Sequence, residues 1–78
     1  MIKHKYVKTA NNEILIFPLS INHDTFEYIN PVSAGFILFT HKNIICEGRS
    51  ETLNIDSHCD DTDIATKQFR GYKCKKAT

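Results

Sequence analysis

Two apolar runs of four residues each, Ile14-Leu15-Ile16-Phe17 and Phe36-Ile37-Leu38-Phe39, constrain this chain more than anything else in it. Asn11-Asn12 and Pro18 bound the first, and Gly35 and His41-Lys42-Asn43 bound the second. Runs of that length suit strands rather than helices, and they are far too short to cross a bilayer. The chain has 78 residues, enough for one small domain. Both runs must therefore be buried in the same small sheet, and they are expected at its centre.

The rest of the chain is read around them. Residues 2–9 alternate in part, with Ile2, His4, Tyr6 and Lys8 on one side and Lys3, Lys5, Val7 and Thr9 on the other. Only half of either side is apolar, which predicts an edge strand guarded by lysines. Asn11-Asn12 tolerates positive φ and predicts a hairpin turn. Asn22 or Asp24 is a candidate cap for a short helix that ends before Pro31, with Phe26 and Ile29 on its buried face. Ile44-Ile45-Cys46-Glu47 returns as a hairpin partner, and Gly48 marks a bulge or a close backbone approach. Residues 51–55 either extend that strand or form a fifth. Asp60, Asp61 or Thr62 caps a last helix through Arg70 that places Ile64, Ala65, Phe69 and Tyr72 near one stripe, with Gly71 just after its end. The predicted fold is α+β: an antiparallel sheet of four or five strands in the order β-β-α-β-β-(β)-α, with two short helices on one face. The domain covers residues 1–72, and residues 73–78 form a flexible basic tail.

Charge and cysteine content narrow the function. Ten Lys+Arg against nine Asp+Glu give a formal charge of +1, so a generic polyanion-binding face is not expected and nucleic acid ranks low as a partner. Lys3, Lys5 and Lys8 with Tyr6 supply a weak basic and aromatic pattern for a nucleic-acid-associated role. Three cysteines, Cys46, Cys59 and Cys74, are not a disulfide framework and suit a reducing cytoplasm. No leader pattern opens the chain, and no membrane association is expected. A domain this small buries little surface, and self-association into a homo-oligomer is a common remedy.

Catalytic signatures are missing from the sequence. It has no nucleophile elbow and no phosphate-cradling glycine loop, so no enzyme activity and no cofactor are expected. His58-Cys59 with Asp60 or Asp61 offers metal-ligand chemistry. Neighbouring residues converge on one ion only where the loop is bent for it, so the segment reads first as a solvated loop before a helix. The better site candidate is a pair of segments. Ser33, Ala34, Gly35 and Phe36 combine a hydroxyl, two minimal side chains and an aromatic ring. Arg49 and Ser50 follow Gly48, and a guanidinium beside free N–H groups holds phosphate or carboxylate. If residues 36–47 form a hairpin about His41-Lys42-Asn43, positions 33–36 face positions 48–51 and form a notch, with His23 approaching from the short helix.

The strings His23-x-x-Phe26, Asn30-Pro31-Val32-Ser33-Ala34-Gly35-Phe36 and Gly48-x-Ser50-x-Thr52-Leu53, with residues 63–68, resemble small uncharacterised proteins of tailed bacteriophages and related mobile elements. The resemblance spans about residues 13–72 and leaves out the Lys-Cys-Lys-Lys tail. It implies an accessory product of the bacterial cytoplasm that acts by binding, either sequestering an anionic nucleotide-like ligand in counter-defence or inhibiting a host protein by direct contact.

Overall fold

The computed structural model describes residues 2–77, with side chains through Phe69. The fold is α+β. Strands β1 (Ile2–Lys8), β2 (Ile14–Phe17), β3 (Ser33–Phe39) and β4 (Ile44–Glu47) form an antiparallel sheet in the order β2-β1-β3-β4. A short 3-10 helix, His23–Ile29, joins β2 to β3. Strands β5 (Arg49–Ser50) and β6 (Ile55–Asp56) pair in a separate two-stranded ladder, and helix α1 (Asp61–Ala77) closes the chain. Among the described residues, no helix is long and apolar enough to cross a membrane.

Local chemistry sets several boundaries as expected. The β1–β2 turn closes with Asn12 N–H donating to Thr9 O, and Asn12 takes a left-handed φ of 64°. The 3-10 helix ends on Asn30, also left-handed at φ 51°, just before Pro31. Its start differs from expectation. Asn22 stands at the cap position in extended backbone but makes no side-chain cap bond. The helix is held instead by packing, with the Phe26 ring 4.5 Å from that of Phe17.

The centre of the sheet is only half where the apolar runs placed it: β3, which carries the run 36–39, is interior as expected, but its inner neighbour is β1 rather than β2. The chain leaves β2 and crosses over β1 through the 3-10 helix, so β3 pairs with the free side of β1, from Ile2↔Phe39 to Lys8↔Ser33. β1 is thereby interior; Tyr6 and Val7 are fully buried and Lys8 nearly so. The lysine-rich strand is not an edge. The apolar run 14–17 is one: Ile14 and Phe17 are buried while Leu15 and Ile16 stay partly exposed.

The helices also lie on opposite faces rather than on one. Tyr6, Ile14 and Ile37 pack with Ala65, Ile64 and Phe69 of α1. Val7, Phe17 and Ala34 pack with Phe26 and Ile29 of the 3-10 helix and with Leu53 and Ile55 of the β5–β6 ladder. The reason is strand alternation: β1, β2 and β3 each carry buried side chains on both faces, and each face needs its own cover. Residues 51–54 are a turn rather than a strand extension, with Asn54 left-handed at φ 56°. Helix α1 runs past Gly71, which the sequence places just beyond its end. Tyr72 and the side chains of the basic tail lie outside the described residues.

An ion pair locks β1 to α1. Lys8 Nζ stands 2.7 Å from Asp61 Oδ1, and both side chains are almost wholly buried. Tyr6 donates its hydroxyl hydrogen to the same carboxylate, and the backbone N–H of His58 donates to it at 2.9 Å. Burial works to raise the Asp61 pKa, but Lys8, Tyr6 and the His58 N–H outweigh it and hold the carboxyl below its ordinary value. Burial and the adjacent carboxylate push the Tyr6 phenol far up, and raise the Cys46 thiol to about 12.

Helix α1 also reaches both edges of the sheet with side-chain hydrogen bonds. Gln68 donates to Ile14 O and accepts from Ile14 N–H, both at 2.9 Å, so its amide stands in for a neighbouring strand. At the opposite edge, Cys46 N–H donates to Thr62 Oγ1 at 2.9 Å. Outward-facing backbone groups alternate along an edge strand, so Ile16 and Pro18 follow Ile14 on the open side of β2. Pro18 has no N–H, and its carbonyl accepts from Ile21 N–H. Among the described residues, Ile16 is the one open rung on that edge.

Two outcomes follow. Lys8→Met leaves a buried uncompensated carboxylate and should cost about 3–5 kcal/mol in urea unfolding, part of it recovered in Lys8→Met/Asp61→Leu. Gln68→Ala should free the Ile14 rung, lower stability by roughly 1–2 kcal/mol and raise concentration-dependent association seen by light scattering.

Candidate functional site

The two sequence segments do meet. Gly35 lies against the backbone where β4 turns into β5: a Cβ built on it would stand 2.4 Å from Glu47 O and 3.3 Å from Gly48 C. Gly48 takes φ 78° and passes close to the Phe36 ring. Both glycines serve backbone geometry at this crossing. Glu47 pairs with Phe36 and marks the end of the β3–β4 ladder, after which the chain turns into β5.

Beside the crossing is a cleft of about 220 Å³ lined by Lys5, Asn22, His23, Phe36, Arg49, Glu51 and Thr52. Three of the seven expected residues, His23, Phe36 and Arg49, reach it. Ser33, Ala34, Gly35 and Ser50 are buried and do not line it. The strand period explains the split. Ser33 and Gly35 point to the α1 face, Ala34 and Phe36 to the other, so four consecutive strand residues cannot face one ligand. Ala34 is spent in the core below the 3-10 helix. Ser33 lies beside the Asp61 carboxylate, its hydroxyl without a close hydrogen-bond partner. Ser50 accepts from Leu53 N–H at 3.2 Å and so closes the β5–β6 turn.

The residues that sequence reasoning missed come from β1 (Lys5), the cap position of the 3-10 helix (Asn22) and the β5–β6 turn (Glu51 and Thr52). Lys5 projects from β1 on the same face as Phe36, its register partner. Its ammonium donates to Ile21 O at 2.9 Å, which steers it along the loop before the 3-10 helix. Lys3 lies over the Phe36 ring, 4.7 Å from its centre. The signal available in the sequence was the spacing of Lys3 and Lys5 on one side of a strand. It was hidden because that strand read as an edge.

Arg49 is anchored at the surface rather than locked inside. Its Nε donates to Asp56 Oδ1 at 3.0 Å, with both side chains well exposed, and one Nη2 hydrogen goes to Asn54. A guanidinium carries five N–H donors, so three remain for another partner. His23 is the reverse case. It is 4% exposed and its ring meets Phe17 and Phe36 edge-on. Its Nε2–H donates to Gly35 O at 2.9 Å, which leaves Nδ1 as an acceptor. Burial lowers its pKa, and the Gly35 carbonyl opposes that only in part. His23 is thus neutral near pH 7 and does not add to the positive charge of the cleft.

The chain matches no known family, and no curated protein or solved structure is significantly similar to it.

The lowered pKa of His23 fixes a sign for pH dependence. Below the ordinary value of 6.5 the unfolded chain takes up a proton that the folded chain resists, so acidification favours unfolding. The melting temperature should fall between about pH 7 and about pH 5.5, and His23→Gln, which keeps a donor toward Gly35 O, should flatten that slope.

Proposed function

We propose that this chain is a non-catalytic binding module that holds a small anionic, nucleotide-like ligand in the cleft between β1, the 3-10 helix and the β5–β6 turn. One observation carries the reading: the cations Lys5 and Arg49 line the same cleft as an aromatic ring, Phe36, with the amide of Asn22 and the hydroxyl of Thr52 alongside. Two cations suit a phosphate or carboxylate, the aromatic ring suits a flat group, and the polar pair supplies orientation. The free Nδ1 of His23 adds an acceptor, which favours a ligand with an N–H or O–H beside its charge.

Size limits the ligand. About 220 Å³ is below the usual range for a drug-sized site, roughly 300–1,000 Å³. The cleft takes the charged group and part of what it is attached to, and the remainder stays in solvent. Glu51 on the rim opposes a second negative charge close by. The resemblance to small bacteriophage proteins supplies a setting, sequestration of a nucleotide signal in a bacterial cytoplasm. Self-association belongs to the same reading, since Leu15, Ile16, Leu19 and Ile21 leave more than a third of their surface exposed along β2 and the loop after it.

Calorimetry and thermal shift against AMP, cyclic nucleotides, ADP-ribose and inorganic phosphate test the proposal. At least one nucleotide should bind and raise the melting temperature. Arg49→Gln and Lys5→Gln should each weaken that binding roughly tenfold or more, as expected for loss of a charged hydrogen bond. No heat and no thermal shift with the whole series would refute it.

A further inference from the structure

We propose that His58, Cys59 and Asp60, in the loop between β6 and α1, form a three-donor site for a borderline divalent cation, zinc(II) foremost. It shares no residue with the cleft and does not depend on it.

Adjacent residues in extended chain point apart, so three successive ligands need a bent loop. The fold supplies that bend. Asp61 is fixed by Lys8 and Tyr6 in the interior. From there its carboxylate accepts the His58 N–H at 2.9 Å, while its own N–H donates to His58 O at 3.0 Å. This reciprocal pair closes residues 58–61 into a tight turn, and the side chains of 58, 59 and 60 converge outside it. His58 Nδ1 stands 3.8 Å from Cys59 Sγ and 3.6 Å from Asp60 Oδ2, and Cys59 Sγ stands 3.8 Å from Asp60 Oδ1.

The two Asp60 distances end on different carboxylate oxygens; taken as one donor atom per residue, the three donors lie within 4.8 Å of one another. Zinc bond lengths of about 2.3 Å to sulfur and about 2.0–2.2 Å to nitrogen and oxygen, at tetrahedral angles, place donors roughly 3.3–3.6 Å apart. Donors within 4.8 Å of one another are drawn to that spacing by rotation of the three exposed side chains. A thiolate, an imidazole and a carboxylate form a donor set matched to zinc or cobalt(II) rather than to magnesium or calcium, which prefer oxygen. Binding releases the Cys59 thiol proton to solvent, and the thiolate and carboxylate then balance the two charges of the ion. All three residues are exposed, so the ion has a free path in and an open fourth position for water.

Two features weaken the site. The Asp60 N–H donates to His58 Nδ1 at 3.2 Å, and the ion must displace it. The start of α1 lies alongside, and its positive end opposes a cation. Affinity should therefore be roughly micromolar, well below that of a four-ligand structural zinc site.

Cobalt(II) titration of the reduced full chain, in a Cys74→Ser background, reads thiolate ligation directly through its charge-transfer absorption. One cobalt per chain should bind and be displaced by zinc. The band should vanish in Cys59→Ser, persist in Cys46→Ser, and require at least tenfold more metal in His58→Ala and Asp60→Asn. His58 meets Asp61 through its backbone, so His58→Ala keeps the turn, and circular dichroism confirms folding of each variant. No band, or a band that survives Cys59→Ser, overturns the proposal.

Discussion

The buried contact between Lys8 and Asp61 holds the architecture together. It joins the middle of the sheet to the first residue of its largest helix, 53 positions later in the chain (61 − 8). Two charges removed from water are costly, and an isolated pair of this kind often gains nothing over apolar residues of the same shape. This pair is not isolated. The Tyr6 hydroxyl and the His58 N–H share the Asp61 carboxylate, so the negative charge has three partners. The contact also fixes register: the buried Asp61 carboxylate meets both Lys8 and Tyr6 at one position of α1 against the sheet.

With the helix start fixed, the rest of α1 has a defined reach. Thr62 meets the β4 edge and Gln68, six residues on, meets the β2 edge. A four-stranded sheet with open edges invites pairing with other chains. Here the helix that covers one face also supplies side chains that imitate the missing strands, and Pro18 removes a further donor beyond them. Apolar packing, edge protection and the ion pair thus place α1 in the same register, the agreement between levels expected of a sequence with one preferred fold.

Much of this was legible from residue types with narrow conformational needs. Asn12 marked a positive-φ turn, Gly48 a close backbone approach and Pro31 a helix end, and all stand as their chemistry requires. The four principal strands could be read from their apolar patterns. What could not be read was strand order. The run 14–17 looks central because four consecutive apolar side chains need two covers, yet at an edge two of them stay half exposed. Residues 2–8 look peripheral because Lys3, Lys5 and Lys8 dilute their pattern. Only a carboxylate remote in sequence makes burial of Lys8 acceptable, and no local rule pairs residue 8 with residue 61. The candidate site shared that blind spot. Gly35 and Gly48 pointed correctly to a backbone crossing, while the cations beside it depend on β1 being interior.

Strand order also explains how a nearly neutral chain gathers cations in one cleft. A formal charge of +1 describes the whole molecule, but a ligand responds to what lies within about a Debye length, roughly 8–10 Å. Lys8 is cancelled internally by Asp61. Lys3 and Lys5 project from the opposite face of the same strand, toward Phe36, and Arg49 joins them from β5. Asp56 and Glu51 offset part of that charge, and Asp56 also holds the guanidinium in place. Alternation along β1 therefore sorts its lysines by role. The one on the α1 face secures the fold, and those on the other face leave a local excess of positive charge around an aromatic ring.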